Sequence, residues 1–82
     1  MQVGVVGIII EKDRNVAADV QRILSAHADI ILARTGIPDH EREIYVISVI
    51  VRGTNERISS LAGKLGKLQS VKVKSAVVTA DA

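Results

Sequence analysis

The sequence has no cysteine, no tryptophan and no phenylalanine, and Tyr45 is its only aromatic residue. Without cysteine, neither a disulfide nor a thiolate metal site can staple the chain. With a single aromatic, it can build neither an aromatic-lined pocket nor a platform for stacking bases. Charge of one sign is also scarce. Lys and Arg number 11 against 9 Asp and Glu, a formal net charge of +2. Only Lys64–Lys67 and Lys72–Lys74 are locally basic, a poor footprint for a phosphate backbone. The apolar run from Val3 to Ile10 is far shorter than the ~20 residues that span a bilayer. No positive segment precedes it, and Glu11-Lys12-Asp13-Arg14 follows where a signal peptide would have a small-residue cleavage site. No membrane segment, no export and no direct nucleic-acid binding are expected, and a cysteine-free chain suits the cytoplasm.

What remains is aliphatic. Of 82 residues, 48% are hydrophobic, so the core must come from Val, Ile, Leu and Ala. The length fits one domain over residues 1–82. A domain this small buries only about 60–65% of its unfolded surface. Lacking staples, it needs an idealised core or self-association.

Periodicity divides the chain into six elements. Val3 to Ile10 is a β-branched run apolar on both faces, as in a central strand. Asp13 stands where a helix N-cap belongs, and Val16, Val20, Ile23, Leu24 and His27 then recur on one helical face. Residues 30–37 read as a second strand, interrupted by Arg34 and closed by Gly36-Ile37-Pro38-Asp39. A polar turn leads into a third strand from Ile44 to Val51. Gly53-Thr54-Asn55 is a loop with capping residues, and Ile58, Leu61, Ala62, Leu65 and Leu68 form a second helical stripe. Val71, Val73 and Val77 alternate with polar residues in a last strand.

The order β-α-β-β-α-β is the ferredoxin-like, split βαβ plan, an α+β sandwich. Right-handed crossovers put both helices on one face of a four-stranded antiparallel sheet. The first and third strands would be central and free of interior charge. The second and fourth, carrying Arg34 and Lys72/Lys74, would be edges. The face away from the helices has no cover within the chain, yet either parity of the central strands makes it apolar. Strand spacing gives it a projected area on the order of 500 Å², near the upper end of the roughly 300–600 Å² patches that monomers leave exposed. A homo-oligomer, dimer or tetramer, built through this open sheet face is expected. The pattern does not say which parity faces out.

Catalytic chemistry is not evident. His27 ends a helix, where a cation suits the dipole, and His40 lies in a polar turn, so no metal site is expected. Asp39, Glu41 and Glu43 make a solvated rim, and no nucleophile motif or phosphate loop occurs. Metallochaperones of this topology need a CxxC, and acylphosphatases need a glycine-rich anion loop after strand one. Here that turn is Glu11-Lys12-Asp13-Arg14. No enzyme and no cofactor are therefore expected. Two features stand apart. Arg34 is the best candidate for anion binding, against the plainer role of an edge gatekeeper or ion pair. Ser59, Gly63 and Gly66 form a small-residue flank on the second helix, read as close packing of the two helices or as approach of a ligand or neighbouring backbone.

Arg34-Thr35-Gly36-Ile37-Pro38, Ile47-Ser48-Val49-Ile50-Val51, Ile58-Ser59-Ser60-Leu61-Ala62-Gly63-Lys64-Leu65-Gly66-Lys67-Leu68 and Val71-Lys72-Val73-Lys74-Ser75 together resemble the iron-only hydrogenase system regulator family over nearly the whole chain. The resemblance implies an ACT-like domain, similar in shape to the C-terminal domain of nickel-responsive repressors. Of the His and Cys metal ligands in those repressors, this stretch has only His40. The ACT ligand motif Asp-Arg-Pro-Gly is here Asp13-Arg14-Asn15-Val16. The resemblance implies a regulatory module that binds a small-molecule effector at subunit interfaces. The expected site is Asp13, Arg14, Arg34, Ser59, Gly63 and Gly66. The alternative is a non-sensing interaction or assembly factor with a protein partner.

Overall fold

A computed structural model describes residues 1–11 and 15–80. Strand β1 (Gln2–Glu11) is followed by helix α1 (Val16–Ala26), one 3-10 turn (Ala28–Ile30) and strand β2 (Ile31–Asp39). Strand β3 (Ile44–Gly53), helix α2 (Asn55–Gly66) and strand β4 (Val71–Thr79) complete the chain. The strands form one antiparallel sheet in the order β2-β3-β1-β4. This is the ferredoxin-like plan, with β1 and β3 central as their uninterrupted apolar runs predict.

Register settles the parity that the sequence leaves open. Val6 lies opposite Val49 and Ile8 opposite Ile47, and directly opposed residues share a face. Val6, Ile8, Ile10, Ile47, Val49 and Val51 are all buried, together with Val16, Val20 and Leu24 of α1 and Ile58, Leu61 and Leu65 of α2. Each such side chain contributes about 1.5–3 kcal/mol of transfer free energy. The other parity looks away from the helices. Val5, opposite Ile50, and Ile9, opposite Val46, lie on that face. Ile50 is 41% exposed, against 2% for Ile47.

Both boundaries of β2 differ from expectation. Ile30 belongs to the 3-10 turn rather than to β2. It is buried against Gly53, where an added Cβ would meet its Cγ2 at 2.9 Å. β2 in turn runs on through Pro38 to Asp39. An edge strand tolerates proline, because the missing N–H can face outward. The Asp13 cap lies outside the described residues, and the residue that precedes α1 directly is Asn15. At α2 the expected cap is present, with the Thr54 hydroxyl accepting the backbone N–H of Arg57 at 3.2 Å. The Arg57 guanidinium also donates twice to Asp29, at 2.7 and 2.8 Å, tying α2 to the 3-10 turn. That hydrogen bond holds the Asp29 carboxyl below its ordinary pKa. Among the described residues, no helix is long and apolar enough to cross a membrane.

Candidate functional site

Helix α2 turns Ile58, Leu61 and Leu65 onto the sheet, which leaves Gly63 and Gly66 on its exposed flank. This flank runs beside β4, because the crossover from β3 through α2 delivers the chain to that edge. Ala62, Gly63 and Gly66 form one wall of an open groove of about 570 Å³, and Val71–Ser75 forms the other. Among the described residues, a Cβ added to either glycine would meet nothing within 4 Å. Close packing of α1 on α2 is therefore not what the glycines serve. Neither has a positive φ, so backbone conformation does not call for them either. Each still weakens the helix by about 1 kcal/mol relative to Ala.

Among the described residues, the lining of the groove contains no acid–base pair. Lys72 and Lys74 line it, but their register positions, opposite Ile9 and Gly7 of β1, put their side chains on the open face. What the groove presents is small side chains, the Ser75 hydroxyl and the outer backbone edge of β4. Such a site can recognise shape and backbone-type hydrogen-bonding groups.

The expected site residues do not all converge. Gly63 and Gly66 come together in the groove. Ser59 is exposed on α2 but outside the lining. Arg34 lies on β2, at the opposite edge of the sheet, where its Nη2 donates to Gln21 Oε1 of α1. It thus tethers α1 to the β2 edge through a neutral amide. Asp13 and Arg14 lie outside the described residues. Just before them, the Glu11 N–H donates to the Ser70 carbonyl at 2.7 Å, beside the start of β4. Ala62 and the β4 wall join Gly63 and Gly66 in the groove without being marked as site residues by the sequence. Their signal is topological, since a small-residue flank on a crossover helix faces the strand that the helix leads into.

The histidines are separate. His27 is 4% exposed at the C-terminus of α1, with Nδ1 at 2.8 Å from the Ile23 carbonyl oxygen. His40 is exposed in the β2–β3 turn. Among the described residues, no group of three or more His, Asp or Glu side chains could hold a metal ion.

Known proteins match this chain in fold and, for one family, in sequence. The uncharacterized protein TM1266 from Thermotoga maritima superposes with a TM-score of 0.91 at 26% identity, over 96% of this chain and 100% of its own. The ACT domain of GTP pyrophosphokinase from Chlorobium tepidum matches with a TM-score of 0.73 at 17% identity, over 90% of this chain and 96% of that one. A formyltetrahydrofolate deformylase from Pseudomonas putida matches with a TM-score of 0.64 at 11% identity, over 90% of this chain but 28% of its own. At these identities the last two share the fold alone, which carries no activity with it. No curated protein matches the chain. The family model described as "Iron-only hydrogenase system regulator, putative" matches residues 2–75. With that match over most of its length and an ACT-like fold throughout, the chain belongs to the TM1266-like family of iron-only hydrogenase system regulators.

Proposed function

We propose that this protein is a small, non-enzymatic regulatory module. It assembles with itself through the open sheet face and takes a small effector in the α2–β4 groove, close to a subunit boundary. The family membership supports the regulatory class. The observation that carries the site is the pair of helix-weakening glycines, Gly63 and Gly66, whose missing side chains open onto the groove. A net charge of +2 supports the further point that any effect on transcription runs through a DNA-binding partner.

Ligand screening by thermal shift tests the effector. A specific ligand at about a hundred times its Kd adds about 2.7 kcal/mol of stability. Gly63→Leu, whose Cβ enters open space beside the groove, is expected to abolish that gain. Retained affinity in Gly63→Leu would move the site elsewhere. The exposed aliphatic rows of the open face favour a second reading, an interaction factor that senses nothing. A screen without hits, together with a stoichiometric complex with a hydrogenase-system protein, would select that reading.

A further inference from the structure

The sheet has two outer edges, and they are built differently. β2 has a register break between Ile31 and Ala33, a proline at position 38 and Arg34 reaching over to Gln21. Bulges, proline and charged side chains all blunt an edge against pairing. β4 has none of the backbone devices. Its ladder with β1 runs unbroken from Gln2 opposite Thr79 to Ile10 opposite Val71. At the ends of that ladder, the Glu11 N–H donates to the Ser70 carbonyl at 2.7 Å and the Ala80 N–H to the Met1 carbonyl at 3.0 Å. Hydrogen-bonded pairs alternate along an antiparallel ladder, so these two bonds set its phase. Even-numbered residues of β4 bond to β1. Val71, Val73, Ser75, Val77 and Thr79 turn their N–H and C=O groups to the free edge.

We propose that this edge pairs with β4 of a second copy, antiparallel about a two-fold axis at Ser75, so that each copy closes the other's α2–β4 groove. Charge selects the register. With Ser75 on the axis, all nine residues of β4 are paired, Lys72 lies opposite the partner's Val78, and Lys74 lies opposite the partner's Ala76. Centring on Val73 would set Lys72 against Lys74, and centring on Lys74 would set that lysine against itself. Like charges directly opposed destabilise a ladder. In the Ser75 register the lysine stems instead cover apolar neighbours, among them Val78, which is 67% exposed in the single chain.

Space on the helix side agrees. The partner's Ser75 and Val77 project from the added strand toward the helix layer, beside the flank of Gly63 and Gly66. Among the described residues, a Cβ at either glycine meets nothing within 4 Å, which leaves room for those side chains and for the partner's α2. The groove is therefore half of a cleft, with two copies of β4 as its floor and two glycine flanks as its walls. The inference deepens the proposed function but does not need an effector. A failed ligand screen leaves the pairing intact, and failed pairing leaves the groove open to a ligand.

The test uses the absence of cysteine. In Ser75→Cys the chain has a single thiol, and on the axis the two Cα atoms lie about 5.5 Å apart, within the disulfide range of roughly 4.4–6.8 Å. Under mild oxidation at micromolar concentration, Ser75→Cys is expected to cross-link about a hundredfold faster than Ser25→Cys on the exposed surface of α1. Ala76→Cys, out of register with its own copy, should be slow as well. Equal rates for Ser75→Cys and Ser25→Cys overturn the pairing, and a faster Ala76→Cys overturns the register. Ser75→Pro removes an N–H that faces away from β1, so the internal ladder survives. It is expected to halve the mass measured by light scattering without altering the circular dichroism spectrum. An unchanged mass in folded Ser75→Pro overturns the proposal. Should that variant unfold, the cross-linking rates alone decide.

Discussion

On the helix side of β1 and β3, Val6, Ile8, Ile10, Ile47, Val49 and Val51 are buried. On the other side of the same strands, Val5, Ile9 and Ile50 are each more than a third exposed. The residue types are the same, so hydrophobicity alone does not distinguish the two faces. The difference lies in what interrupts them. Across the outer face, Thr35, Ser48, Gly7 and Lys74 stand in one row of the sheet. Aliphatic rows flank it, with Ile37, Val46 and Ile9 on one side and Ala33, Ile50 and Val5 on the other. The inner face has no comparable small and polar row through its centre. An aliphatic surface broken by small and polar groups is unlike this core, and it suits the proposed assembly through this face.

The largest expected effect contrasts the two faces directly. Ile47→Asp places a charge under the helices with no partner, a penalty of about 3–5 kcal/mol or more. That rivals the whole stability of a domain this size, at about 0.05–0.15 kcal/mol per residue. Circular dichroism should report an unfolded chain. Ile50→Asp places the same charge on the open face and should keep the fold while lowering the mass measured by light scattering. If both variants unfold alike, the distinction between core and interface fails.

A second comparison sets Leu61→Ala, expected to cost about 2–5 kcal/mol in urea unfolding, against Val5→Ala, expected to stay within about 0.5 kcal/mol in the dissociated chain. A third uses glycine. At Gly4 an added Cβ would lie 2.7 Å from the Ala76 carbonyl oxygen and 2.8 Å from Val77 Cγ2. Gly4→Ala should therefore destabilise by about 1–3 kcal/mol. Gly63→Ala enters open space within a helix and should stabilise the isolated subunit by up to about 1 kcal/mol. A loss of stability there would mean that the groove wall is packed already.

The smallest effect concerns the Asp29–Arg57 pair, which is exposed. Arg57 lowers the Asp29 pKa in the folded state, so the stabilisation is present above the unfolded value of about 3.9. It is lost as pH falls through the folded value. Asp29→Asn should lower the thermal midpoint slightly at neutral pH, as expected for an exposed pair, and this difference from the parent should vanish as pH falls below the folded value.

Much of the fold was legible because its signals are local. The β-branched runs mark β1 and β3, the 3.6-residue apolar stripes mark α1 and α2, and the charges at Arg34, Lys72 and Lys74 mark the edges. The 3-10 turn at Ala28–Ile30 was not legible, because Ile30 is held there by contact with Gly53, a residue distant in sequence. The candidate site was legible only in part. The periodicity of α2 put Gly63 and Gly66 on one flank, but it did not say what that flank faces. Arg34 looked like a site residue because a charge inside an apolar strand is conspicuous. In the fold, three strands separate β2 from the far side of β4.

By itself, the sequence determined the order of elements, the central and edge strands, the aliphatic core and the absence of thiol chemistry. Those follow from composition and from periods of 2 and 3.6, which any short window of the chain contains. Tertiary structure alone decided that Ile47 is buried while Ile50 is exposed, since a strand apolar on both faces has a pattern unchanged by a shift of one residue. It also decided that the glycines of α2 look outward beside a β4 edge that has neither bulge nor proline. Which surface lies next to which depends on the register between strands and on how the crossover helices lie on the sheet, and these are contacts between residues far apart in the chain.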